Sequence, residues 1–75
     1  MTFQAINLWR EIVAVRPTLV AARLKLAGAY ARLEQYPEAQ REYERVLQLD
    51  PANVIARDGL IRLRGRAIAP AGRRS

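Results

Sequence analysis

The chain repeats itself. Sliding it along itself by 34 residues lays Ala5 on Ala39, Trp9 on Tyr43, Ile12 on Val46, Val15 on Leu49 and Pro17 on Pro51. The same shift carries Val20 to Val54, Ala22 to Ala56 and Leu26 to Leu60, so the match runs over roughly residues 3–64. A supersecondary unit repeated at a fixed period stacks on its neighbour, because each unit alone leaves an apolar face uncovered. Only Arg23–Pro51, RLKLAGAYARLEQYPEAQREYERVLQLDP, contains one complete unit. The flanks read as the second half of one unit and the first half of another.

The apolar spacing within each unit is helical. Residues 3–15 place Ala5, Leu8, Trp9, Ile12 and Val15 on an apolar arc, with Gln4, Asn7, Arg10 and Glu11 on the rest. Phe3 and Trp9 are expected to border the surface that a preceding helix would cover. Pro17 ends this helix, since proline cannot continue a helical hydrogen-bond ladder, and Thr18 is a candidate cap for the next. The second helix runs to about Leu33 and is apolar around nearly its whole circumference. After a turn at Glu34, Gln35 and Tyr36, Pro37 opens the third helix with Glu38 in its first turn, where the helix dipole favours a carboxylate. Ala39, Tyr43, Val46, Leu47 and Leu49 form its buried face; Glu38–Arg41 and Glu42–Arg45 read as surface pairs. Asp50 or Asn53 caps the fourth helix, which carries Gly59 and Gly65 and is expected to fray. The expected organisation is a half repeat over 3–17, a full repeat over 18–51, a half repeat or capping helix over 52–66, and a disordered basic tail over 68–75.

Leu26, Ala27 and Tyr30 on the second helix, Ala39 and Tyr43 on the third, and Pro51 after it resemble the W-x2-L-G-x2-Y, A-x3-F, P pattern of the tetratricopeptide repeat. Arg23 stands in place of Trp, Ala27 in place of Gly and Tyr43 in place of Phe. The last two keep a small residue and an aromatic ring; Arg23 does not, so the Trp socket is absent or filled by another part of the chain. The resemblance implies an all-α fold, an antiparallel helix-turn-helix repeat or α-solenoid fragment of four helices with a flexible basic tail. Ile61 and Arg64 replace the central unit's Ala27 and Tyr30, so the fourth helix is expected to cap the stack with a polar outer side.

The resemblance further implies a groove lined by the first helices of successive units. Its residues here would be Ala21, Leu24, Gly28, Ala31, Arg32, Ile55, Asp58 and Arg62, and its occupant a helix or extended segment of another protein. Some such domains clamp a C-terminal carboxylate; Leu24 and Gly28 stand at two of the clamp positions, so the resemblance does not extend to it. Packing as a small subunit of a larger assembly is a related expectation. The end helices also suggest head-to-tail association of copies through Trp9 and Ile61.

Charge supplies the competing reading. Residues 1–56 hold seven basic and six acidic side chains, whereas residues 57–75 hold six arginines and one aspartate. Arg57, Arg62, Arg64, Arg66, Arg73 and Arg74 would form a basic patch for an acidic partner, nucleic acid or anionic surface. No aromatic residue is interleaved with them, which disfavours base stacking and sequence-specific recognition. The sequence contains no Cys and no His, removing the thiolate ligands and the commonest general base, and it has no phosphate-binding glycine loop. No catalysis and no cofactor are expected. Neither a secretory-type N-terminus nor a bilayer-length apolar run is present, and cytoplasmic residence is the expectation.

Overall fold

The computed structural model describes the backbone of residues 2–72 and the side chains of residues 3–66. Four helices follow one another: α1 Thr2–Val15, α2 Val20–Arg32, α3 Tyr36–Leu49 and α4 Val54–Gly72. Each packs on its chain neighbour, and α2 also touches α4. The result is a thin layer, 44 × 30 × 13 Å. This is the all-α helical repeat expected from the period. The backbone of α4 is helical to Gly72, beyond the boundary expected near 66. Of the expected tail, 68–75, the side chains and, from 73, the backbone lie outside the described residues.

The junctions differ in detail from the expected ones. Thr18 does not cap α2. The helix begins at Val20, so Leu19 holds the capping position and Thr18 falls one residue too early. The turn is tied down instead by Arg23, whose Nε donates to the Pro17 carbonyl at 2.8 Å. At the other end of α2, the Gln35 N–H donates to the Tyr30 carbonyl (2.9 Å) and the Glu34 N–H to the Ala31 carbonyl (3.0 Å). These paired bonds close the helix in the Schellman manner, which places Glu34 in the left-handed region at φ 60°. Pro37 is the second residue of α3 rather than the first. Asn53 caps α4: its Oδ1 accepts from the Ala56 N–H at 2.9 Å, and its Nδ2 donates to Asp50 Oδ2 at 3.2 Å.

The core is built from small residues. Ala22, Leu26 and Ala27 of α2, Ala39 and Val46 of α3, and Ala56, Leu60 and Leu63 of α4 are buried. Alanines at these contacts let the helix backbones approach closely. A second cluster joins α1 to α2, with Ile6, Leu26 and Ala29 buried and Trp9, Val13, Tyr30 and Leu33 packed around them.

That cluster corrects the expected face of α1. Ile6, Trp9 and Val13 point inward, whereas Leu8 (54% exposed) and Val15 (80%) point outward. The helix carries two apolar stripes, and its rotation is set by which one α2 covers. Trp9 therefore belongs to the core side, while Phe3 is exposed. The outer side of α4 is likewise not simply polar, because Val54, Ile55 and Ile61 are all exposed beside its arginines.

Arg23 answers the question left by the absent Trp. Its guanidinium meets Glu42 Oε1 at 2.8 Å, with the two side chains only 12% and 18% exposed. Glu42, expected on the solvent face with Arg45, bridges to α2 instead, and Arg45 donates to Gln48. The Glu38–Arg41 pair lies on the surface as expected, at 3.8 Å.

Candidate interaction groove

Five of the eight expected groove residues line two neighbouring clefts. Leu24, Gly28 and Arg32 line the first, about 380 Å³ between α1 and α2, together with Ala5, Trp9 and Lys25. Ala31, Arg32 and Arg62 line the second, about 310 Å³ between the end of α2, the start of α3 and the middle of α4. Arg32 borders both. Ala21, Ile55 and Asp58 are exposed and line neither.

Each cleft follows from local sequence. In the first, Gly28 leaves a recess on α2, since a Cβ built there would meet nothing within 4 Å. In the second, Gly59 is buried and the Tyr43 ring lies directly on it; a Cβ at this position would stand 2.5–2.7 Å from three ring atoms. The Tyr43 ring can therefore rest on the α4 backbone only because residue 59 lacks a side chain. Tyr36, Tyr43 and Leu63 form the wall and floor, and Arg32, Arg62, Arg66 and Glu34 supply the charges.

The expected basic patch divides along α4. Arg62 and Arg66 are one turn apart and line the second cleft. Arg57 and Arg64, two turns apart, share a different flank, because successive helical residues advance by about 100°. Arg73 and Arg74 lie outside the described residues.

Sequence reasoning did not place Tyr36, Tyr43 or Arg66 in a common cleft with Arg32. One signal could have done so for Arg66: the 34-residue shift carries Arg32 onto it. The same shift carries Trp9, which lines the first cleft, onto Tyr43, whereas Tyr36 gave no such signal. Among the described residues, no group of His, Cys, Asp and Glu could hold a metal ion, and no helix is long and apolar enough to cross a membrane.

A family model described as the tetratricopeptide repeat matches residues 20–63. No curated protein and no solved structure matches the chain. The matched span holds α2, α3 and the start of α4, the closing Pro51, and the buried Leu26, Ala27 and Ala39 that bring the helices together. More than half of the sequence is thus accounted for by one repeat pattern, and its helices pack as that pattern requires: the chain belongs to the tetratricopeptide repeat family.

Proposed function

We propose that the protein is an interaction scaffold whose α2–α4 side receives a helix or extended segment of a partner protein, or seats the chain as a small subunit in a larger assembly. Tetratricopeptide repeats generally mediate protein–protein interaction. The observation that carries the proposal is the pair of clefts meeting at Arg32, with the small Gly28 and Ala31 between flanking arginines. A recessed surface that mixes apolar and polar lining in nearly equal parts suits a segment that buries apolar side chains and keeps polar ones at the edge.

A photo-crosslinking amino acid placed at Ala31 and, separately, at the exposed Gln48 on α3 tests the reading in source cells. Crosslinked protein is expected from position 31 and not from 48. Equal crosslinking from both positions, or none from 31, overturns it.

A second reading is head-to-tail pairing of copies, and the end faces support it. Ala39 and Val46 are fully buried in the centre, whereas their repeat counterparts Ala5 and Ile12 are only half-buried; Ala27 is fully buried and its counterpart Ile61 is 60% exposed. The outer stripe of α1 laid on α4 of another copy would repeat the α2–α3 contact. The contact residues are Leu8, Ile12 and Val15 with Ile61; Trp9, turned to the core, is not among them. Sedimentation across a concentration series should show association that Leu8→Glu or Ile61→Glu abolishes. A monomer at every concentration rejects this pairing.

A further inference from the structure

The second cleft has a chemical preference that its shape alone does not convey. Arg32 reaches it from α2, and Arg62 and Arg66 reach it from one face of α4. Among the described residues none of the three takes part in an ion pair or a side-chain hydrogen bond. The arginines that do pair, Arg23 and Arg41, use Glu42 and Glu38 elsewhere. Glu34 is the only carboxylate lining the cleft, so three guanidinium groups face one acid. Like charges gathered in a recess repel one another, and an incoming anion relieves that repulsion while accepting planar, paired hydrogen bonds.

We propose that this cleft binds an acidic segment of a partner protein, with its carboxylates set among Arg32, Arg62 and Arg66 and its apolar side chains against Tyr36, Ala31 and Leu63. The proposal rests on the scaffold reading and names the chemistry of its partner. Charge complementarity selects carboxylates, and the apolar wall selects a segment in which they alternate with apolar residues. Nucleic acid fits less well. Arg57 and Arg64 lie on another flank of α4, so among the described residues no continuous basic track follows a phosphate backbone. One face of the Tyr43 ring is already spent on Gly59 rather than free to stack on a base.

Isothermal titration calorimetry with the full chain tests this against three probes: a peptide of alternating Glu and Leu, the same peptide with Gln for Glu, and a single-stranded oligothymidylate. The Glu peptide should bind most tightly. Arg32→Gln, Arg62→Gln and Arg66→Gln should each weaken it about five- to tenfold, as expected for a charge-assisted contact in a half-open site, while Arg57→Gln, which removes the same charge outside the cleft, should change it less than about twofold. Glu34→Gln, which removes the opposing acid, should tighten binding about two- to threefold. Circular dichroism shows whether each variant keeps its helices.

Equal losses for Arg57→Gln and the cleft variants would reduce the effect to net charge and overturn the proposal. Equal binding of the Glu and Gln peptides would overturn the acidic preference and leave the scaffold reading standing. Tighter binding of the oligothymidylate than of either peptide would overturn it in favour of nucleic acid. Failure of all three probes to bind would overturn the cleft proposal, while the scaffold reading stands or falls by crosslinking at Ala31.

Discussion

Replacing Arg23 with Met should destabilise the fold by about 2–3 kcal/mol, a large loss for a change at a position where the family pattern has an aromatic residue. The magnitude follows from the surroundings. Met keeps most of the aliphatic stem, so the loss is chiefly polar. It removes the 2.8 Å contact to Glu42 and the 2.8 Å bond to the Pro17 carbonyl, leaving a carboxylate that is only 18% exposed without its partner. A fully buried pair broken on one side costs ~3–5 kcal/mol and an exposed one ~0–1, and side chains 12% and 18% exposed fall between these limits.

A double-mutant cycle isolates the pair from the loop contact. Arg23→Met and Glu42→Leu, singly and together, followed by urea unfolding with circular dichroism, should give a coupling energy of about 1–2 kcal/mol. The Glu38–Arg41 pair, at 3.8 Å with side chains 41% and 68% exposed, should give only about 0–0.5 kcal/mol in the same assay. Raising salt should erode the second coupling more than the first, because exposed charges are screened more fully than those held between helices. A coupling for Arg23–Glu42 no larger than for Glu38–Arg41 would refute the view that the ion pair occupies the aromatic socket as a structural tie.

Other consequences separate packing from propensity. Gly28→Ala should stabilise the protein by about 1 kcal/mol, since α2 gains a better helix former and its Cβ meets nothing; Gly59→Ala should lose that gain, because the Tyr43 ring must move off α4. Comparing the two urea midpoints checks this, and a stabilised Gly59→Ala would show that the ring swings aside freely. Glu34→Gly should add about 1 kcal/mol by releasing a left-handed residue from its Cβ clash, measured by the same unfolding curve. Asn53→Ala should cost about 1 kcal/mol through loss of the cap on the Ala56 N–H, and hydrogen exchange of that amide should quicken.

The repeat period made the four helices and their order legible, along with the buried Leu26, Ala27, Ala39 and Val46. The rotation of α1 was not legible, because its two apolar stripes are equally consistent with periodicity and only contact with α2 selects Ile6, Trp9 and Val13. The Arg23–Glu42 bridge escaped for a related reason. Short-range charge rules pair residues one helical turn apart, and these two stand 19 residues apart on different helices. Gly59 was legible only as a defect of helix propensity, whereas its value lies in the ring that rests on it.

The same small residues that bring the helices together limit how strongly the layer can hold itself. Of the ten buried hydrophobic residues among those described, five are alanine, and the largest fully buried side chain is that of Val46. Each alanine contributes little transferred apolar area, while Leu8, Val15, Val54 and Ile61 stay in water. A domain of this size has a net stability of only about 3–5 kcal/mol. A ligand present at a hundred times its dissociation constant adds about 2.7 kcal/mol to whatever it binds in folded form. Occupation of the clefts or end faces would therefore change the stability of this chain by an amount comparable to its own. Binding and folding are coupled strongly enough that a rise in unfolding temperature with an added segment reports binding directly, and a segment that contacts the cleft yet leaves that temperature unchanged would have to bind the unfolded chain equally well.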